Sequence, residues 1–125
     1  MTEDQISRIV LESALAIHRT LGPGLLESVY EETLVHELEK AGLRLSRQHP
    51  VPLIYDTKKL PIAFRADIIV ENKVILELKA IETVLPVHKK QLLTYLRLSG
   101  LRLGILINFN VPLIKDGFHR IVNGL

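Results

Sequence analysis

Residues 65–80 read RADIIVENKVILELKA. Isoleucine, valine and leucine fill two arms, and Glu71, Asn72 and Lys73 supply a polar turn between them. The pattern is that of a buried β-hairpin. Asp67, Glu77 and Lys79 interrupt it. Charged side chains are almost never buried unless they are paired or bind a metal. Where these three point therefore decides what the hairpin is for.

Side chains alternate across a strand, so Ile75, Glu77 and Lys79 share one face, and Asp67 and Ile69 share a face of the preceding arm. A three-residue turn, Glu71 to Lys73, pairs Val70 with Val74 and sets Asp67 across from Glu77. A two-residue turn sets Asp67 across from Leu78 instead, because register inverts with each residue of slip. The three-residue turn is the expectation. It makes two carboxylates cross-strand neighbours, which repel unless a cation joins them. Two readings then stand: a solvent-facing sheet side with an ordinary carboxylate–lysine pair, or a divalent-cation site. Hard oxygen ligands favour magnesium or manganese over zinc.

Around the hairpin, the chain of 125 residues has the size of one domain, with one core and no linker. Thr2 with Gln5 has the spacing of a capping box. Ile6, Ile9, Val10, Ser13, Ala14 and Ile17 then follow the helical period up to the Gly22-Pro23-Gly24 break. A second helix is expected from about Leu25 to Ala41, with Leu26, Val29, Leu34 and Leu38 on its apolar side and Gly42 as its stop. Strand patterns follow at residues 45–55, where Pro50 and Pro52 indicate an edge, and at 60–70 and 74–80. Pro86 opens a third helix that ends before Gly100. "RLGILINF" reads as a buried strand, and a short last strand falls within Phe118 to Val122. The order predicts an α/β sandwich: a mixed β-sheet with an antiparallel meander, a helical crossover and flanking helices.

Hydrophobic residues make up 47% and charged residues 24%, which suits a globular domain. With no cysteine, disulfides and thiolate zinc sites are excluded. The acidic start, MTEDQISRIV, has no signal-peptide pattern, and no apolar run approaches a membrane span. A cytoplasmic location without a membrane partner is expected. The net charge of +2 permits a nucleic-acid partner without demanding one.

An acidic residue followed after ten positions by Glu-x-Lys, here Asp67, Glu77 and Lys79, resembles the PD-(D/E)XK nuclease superfamily. Ala66 stands where the superfamily's name has proline. Gly24, Glu27 and Tyr30 in "GLLESVY" match the spacing that names its GxxExxY family. "QLLTYL", with Gln91 and Tyr95, and "GILINF" extend the resemblance over nearly the whole chain, from about Ile6 to Val122. The resemblance implies one restriction-endonuclease-like domain over residues 1–125. It also implies metal-dependent hydrolysis of nucleic acid, DNA before RNA, by attack of an activated water.

Carried over residue by residue, the resemblance has Asp67, Glu77 and the Leu78 carbonyl hold magnesium or manganese, with Glu27 as a further carboxylate. Lys79 acts on the water or the phosphate, Gln91 and Tyr95 orient Lys79, and the Tyr30 hydroxyl bonds into the site. Taken singly, Glu27 is also a favourable first-turn acid, and Gln91 and Tyr95 an ordinary i, i+4 pair. His18, His36, His49, His88 and His119 show no metal-ligand spacing. His88, Lys89 and Lys90 form a cationic first turn that opposes the helix dipole, which points to phosphate contact. The alternatives are a non-catalytic nucleic-acid-binding or regulatory module on the same fold, and an assembly protein whose leucine-rich helices permit a homodimer.

Overall fold

Thr2 and Gln5 open the first helix by reciprocal capping. The Thr2 hydroxyl accepts the Gln5 N–H at 3.1 Å, and the Gln5 side-chain oxygen accepts the Thr2 N–H at 2.8 Å. The structure, a computed structural model, describes residues Met1–Leu125, and this helix, α1, runs Glu3–Leu21. Ile6, Val10, Ala14 and Ile17 recur at helical spacing and are buried. The second helix, α2, runs Glu27–Lys40 and stops at Gly42, whose φ of +85° suits glycine.

The buried face of α2 differs from the expectation. Tyr30, Leu34, Val35 and Leu38 are buried, whereas Leu26 is 75% exposed and Val29 lies at the surface. Leu26 caps the helix from outside it, and Val29 sits about 100° round the helix from Tyr30. Leu34 and Leu38 face inward, and the same row runs back, at i, i+4, i+7 and i+11 spacing, through partly buried Glu31 to exposed Glu27. Its second half is apolar core and its first half is two carboxylates.

Three strands follow: β1 (Leu45–Tyr55), β2 (Lys58–Val70) and β3 (Val74–Lys79). Then come helix α3 (Pro86–Ser99), strand β4 (Leu103–Asn108), a short 3-10 turn at Ile114–Gly117, and strand β5 (Phe118–Val122). The five strands lie in the order β1-β2-β3-β4-β5. Only β3 and β4 run parallel, joined through α3. Pro50 and Pro52 sit in an edge strand, where a missing N–H is tolerated.

Helices α1 and α2 cover one face of the sheet. Ile68, Val70, Val74, Leu76, Leu78, Leu103, Ile105 and Ile107 pack against them. Helix α3 covers the other, where Leu92 and Leu96 meet Phe64, Ala66, Ile69, Ile75 and Leu106. Every residue of β4 is buried, as a central strand between two helical layers requires. Gly104 lets α3 come close: a Cβ there would lie 2.8 Å from Leu92 Cγ. No helix is long and apolar enough to cross a membrane.

Candidate active site

The turn between β2 and β3 has three residues. Glu71 and Asn72 both have positive φ, +52° and +53°, and the Lys73 N–H closes on the Val70 carbonyl at 2.9 Å. Val70 pairs with Val74, Ile69 with Ile75 and Ile68 with Leu76. Asp67 is therefore aligned with Glu77, in the expected register.

The ladder stops there. Beyond Ile68 and Leu76 the strands part, and the carboxylates take the place of backbone partners. The Leu78 N–H donates to Asp67 Oδ2 at 2.9 Å, and the Asp67 N–H donates to Glu77 Oε1 at 3.3 Å. Asp67 and Glu77 thus meet in a gap between splayed strands, not across a flat sheet face as alternation alone would have it. Alternation itself breaks at this point. Phe64 and Ala66 face α3, and so does Ile69, while Ile68 faces the other layer. Asp67 is where even and odd exchange roles.

The carbonyl of Leu78 also follows from the ladder. The Lys79 carbonyl accepts the Phe109 N–H at 3.0 Å, so Lys79 turns its backbone towards the β4 side. Successive carbonyls point to opposite edges of a strand, so that of Leu78 points towards β2 and the carboxylates. Asn108 holds the exit from β3. Its side chain accepts the Ile81 N–H at 3.1 Å and donates to the Ile81 carbonyl at 2.8 Å, and it is buried.

Burial and mutual repulsion dominate the electrostatics. Burial, then the charge of Asp67, pushes the Glu77 carboxyl up to about 8. Burial also raises Asp67, against the Leu78 hydrogen bond, with Glu31 adding repulsion and Lys79 offsetting part of it. Glu27 is raised by burial and by Asp67, with Lys79 opposing. Tyr95 is raised by burial, then by Glu77 and Asp67. Four acidic groups from four elements therefore share one field, with Lys79 the cation that acts on all three of the carboxylates. The metal-free pair at the centre retains a proton near neutrality.

The other expected residues divide. Tyr95 lies beside the carboxylates, its ring stacked on Phe64 at 3.8 Å and nearly parallel. Gln91, one turn earlier, is exposed, and its side chain makes no hydrogen bond to Lys79 or to any other group. The Tyr30 hydroxyl does not bond into the site. It donates to the Gly22 carbonyl at 2.7 Å and accepts the Leu25 N–H at 3.2 Å, while its ring stacks on Phe109. His88 caps its own helix, its Nδ1 accepting the Leu85 N–H at 2.9 Å. Lys89 lies towards β5, near enough to His119 to lower that imidazole's pKa after burial has done so. Lys90, a further 100° round, faces solvent. His88 is thus engaged in its own cap, while the lysines of this turn, Lys89 and Lys90, are exposed.

Two residues that pattern reading missed stand beside Asp67. Glu31 follows Glu27 at i+4 and is held by Arg47 at 2.8 Å and by the Gln48 amide at 3.0 Å. Gln48 has φ of +47° and lies opposite Asp67, between the paired positions Arg47–Ile68 and His49–Ala66. The spacing of Glu27 and Glu31 was a visible signal. Gln48 had none.

A family model of the PD-(D/E)XK nuclease superfamily matches residues 4–121. The chain belongs to that superfamily. The comparison with curated proteins finds no match, and neither does the comparison with solved structures. Three helices about a mostly antiparallel mixed sheet are the superfamily's α/β restriction-endonuclease-like fold. Membership implies a nuclease-type function, with nucleic acid as the partner.

PD-(D/E)XK nucleases generally use divalent metals. The donors here suit such an ion in kind, because Asp67, Glu77 and the Leu78 carbonyl are all hard oxygens. Magnesium is commonly bound by one or two carboxylates and keeps several waters. No three acidic or imidazole side chains gather closely enough to hold an ion among themselves. Glu27 stands outside the immediate pair but within the field of Asp67.

Proposed function

We propose that the chain is a magnesium- or manganese-dependent phosphodiesterase acting on nucleic acid, DNA in the first instance. The observation that carries this reading is the pair Asp67–Glu77. It is a repulsive, half-buried couple placed where the β2–β3 ladder opens, with Lys79 next along the strand. An ion pair kept for stability would not need two carboxylates and a broken ladder.

In this reading Asp67, Glu77 and the Leu78 carbonyl hold the cation, and Glu27 reaches it through water. The bound cation supplies Lewis acidity to the phosphate and lowers the pKa of an attacking water. Lys79 stabilises the negative charge that develops on the phosphoryl oxygens. The Tyr95 hydroxyl, held by the stack on Phe64, orders water beside Glu77.

Membership of the GxxExxY family belongs to the same proposal, and local structure supports it. Gly24 has φ of +100°, and the Tyr30 hydroxyl ties Gly22 to Leu25. Gly24, Glu27 and Tyr30 thus act as one loop-and-helix unit that fixes where Glu27 enters the field of Asp67. A cytoplasmic site of action and a homodimer complete the proposal, and sedimentation tests the second.

The test is cleavage of single- and double-stranded DNA and RNA with magnesium or manganese, with and without EDTA. Lys79→Ala should keep the metal and lose rate by roughly 100- to 1,000-fold, the usual effect of removing one partner of the transition-state charge. Asp67→Ala should lose metal affinity as well. If the wild type cleaves nothing and neither change alters metal binding, the non-catalytic binding module becomes the better reading.

A further inference from the structure

Neighbouring residues in a strand point to opposite faces, yet Arg47 and Gln48 both bond Glu31 of α2. Arg47 does so through its guanidinium at 2.8 Å, and Gln48 through its side-chain amide at 3.0 Å. The φ of +47° at Gln48 makes this possible by turning its side chain out of alternation. Few non-glycine residues adopt that conformation, and where they do the surrounding structure enforces it, often at a functional site. No hairpin turn explains it here, since Gln48 lies inside β1 with paired residues on either side. Both β1 and β2 lose their alternation at the same level: Leu45 packs towards α1 and α2 while Val51 packs towards α3, matching the exchange at Asp67.

We propose that Gln48 is a positioning residue for Asp67. Its amide nitrogen carries two donors, one occupied by Glu31; Asp67 lies opposite Gln48 in register, and the second donor is assigned to it. An uncharged donor bridges the two carboxylates without neutralising either. A lysine or arginine there would orient Asp67 but compete with a cation for its charge. Arg47, bonded to Glu31 and Glu32, anchors the far end of the bridge on α2. Asp67 is thereby held with Oδ2 on the Leu78 N–H, in the orientation that the metal reading requires. The inference rests on that reading for its purpose, but the positioning itself is testable without metal.

The variant is Gln48→Gly, because glycine accepts the positive φ and leaves the kink unstrained. The metal-free readout is amide hydrogen exchange. Leu78, whose N–H is held by Asp67, should exchange about tenfold faster or more, while Leu76, aligned with Ile68 in the regular ladder, should not change. The second readout is calorimetry with Mn²⁺ alone, where loss of a ligand's hydrogen-bond partner typically costs about 10- to 100-fold in affinity. Unchanged exchange at Leu78, or equal acceleration at Leu76 and Leu78, overturns the proposal; the second result would mark a merely structural role. If wild-type protein binds no Mn²⁺ while Leu78 alone is accelerated, the nuclease reading fails and the positioning stands. If wild-type protein binds Mn²⁺, Glu77→Ala abolishes binding, and Gln48→Gly matches wild type in both readouts, the reverse holds.

Discussion

Replacing Glu77 with glutamine should stabilise the metal-free protein at alkaline pH while destroying the proposed cation site. Glu77 rises from an ordinary 4.5 to about 8 on folding, first by burial and then by the charge of Asp67. Between those values the folded state holds a proton that the unfolded state has released. Stability must therefore fall as pH rises through that window, by up to about 1.4 kcal/mol per pH unit for one proton. It should be highest below pH 4.5 as far as this group is concerned, and the loss should be complete above about pH 8. Coupling to Asp67 divides the effect between two groups, so a total of a few kcal/mol is the sensible scale. Glu77→Gln removes the titrating group and keeps its size, so its stability should vary much less across the window. Urea denaturation at pH 5, 6.5 and 8 in EDTA measures both slopes. Adding Mn²⁺ at pH 8 should raise the wild type and leave Glu77→Gln unmoved, since ligand binding to the native state stabilises it. Parallel pH profiles for the two proteins in EDTA would refute the electrostatic account of the pair.

Other perturbations test the frame that holds the site. Gly104→Ala places a Cβ 2.8 Å from Leu92 Cγ, so α3 must shift; thermal melting should show a loss of about 1–3 kcal/mol, the usual cost of overpacking. Asn108→Ala leaves Ile81 without its side-chain partners and should cost roughly 2–4 kcal/mol by urea denaturation, because buried unsatisfied groups are expensive. Arg47→Ala breaks ion pairs that are partly exposed and should cost no more than about 1 kcal/mol. Its effect should appear instead in Mn²⁺ affinity, if the Glu31–Gln48 bridge needs its anchor.

What was legible in the sequence was whatever local chemistry determines. The capping box at Thr2 and Gln5, the stop at Gly42 and the proline-marked edge strand each follow from one or two residues and their own backbone needs. The hairpin register was legible for a stronger reason. A three-residue turn pairs Ile69 with Ile75 and Ile68 with Leu76, apolar with apolar on both faces, whereas a two-residue turn sets Ile68 across from Glu77. Asp67, Glu77 and Lys79 were found because charges inside an apolar alternation are conspicuous.

What stayed hidden depended on failures of regularity. Period-two reasoning assumes an unbroken strand, but the candidate site lies where β1 and β2 both break step. Gln48 carries no signal because glutamine in a strand is unremarkable; only its φ and its shared bond with Arg47 to Glu31 single it out. Tyr30 misled for the opposite reason. Its place in a recognisable spacing suggested a site contact, whereas its hydroxyl was needed by the backbone of the loop before α2. The same logic separates the two halves of the row on α2 that runs from Glu27 to Leu38. Leu34 and Leu38 bury apolar surface, whereas exposed Glu27 and partly buried Glu31, the latter held by Arg47 and Gln48, add repulsion around Asp67. In the function proposed above, a cation bound by Asp67 and Glu77 would offset that repulsion, so Mn²⁺ should bind more weakly once either carboxylate is removed.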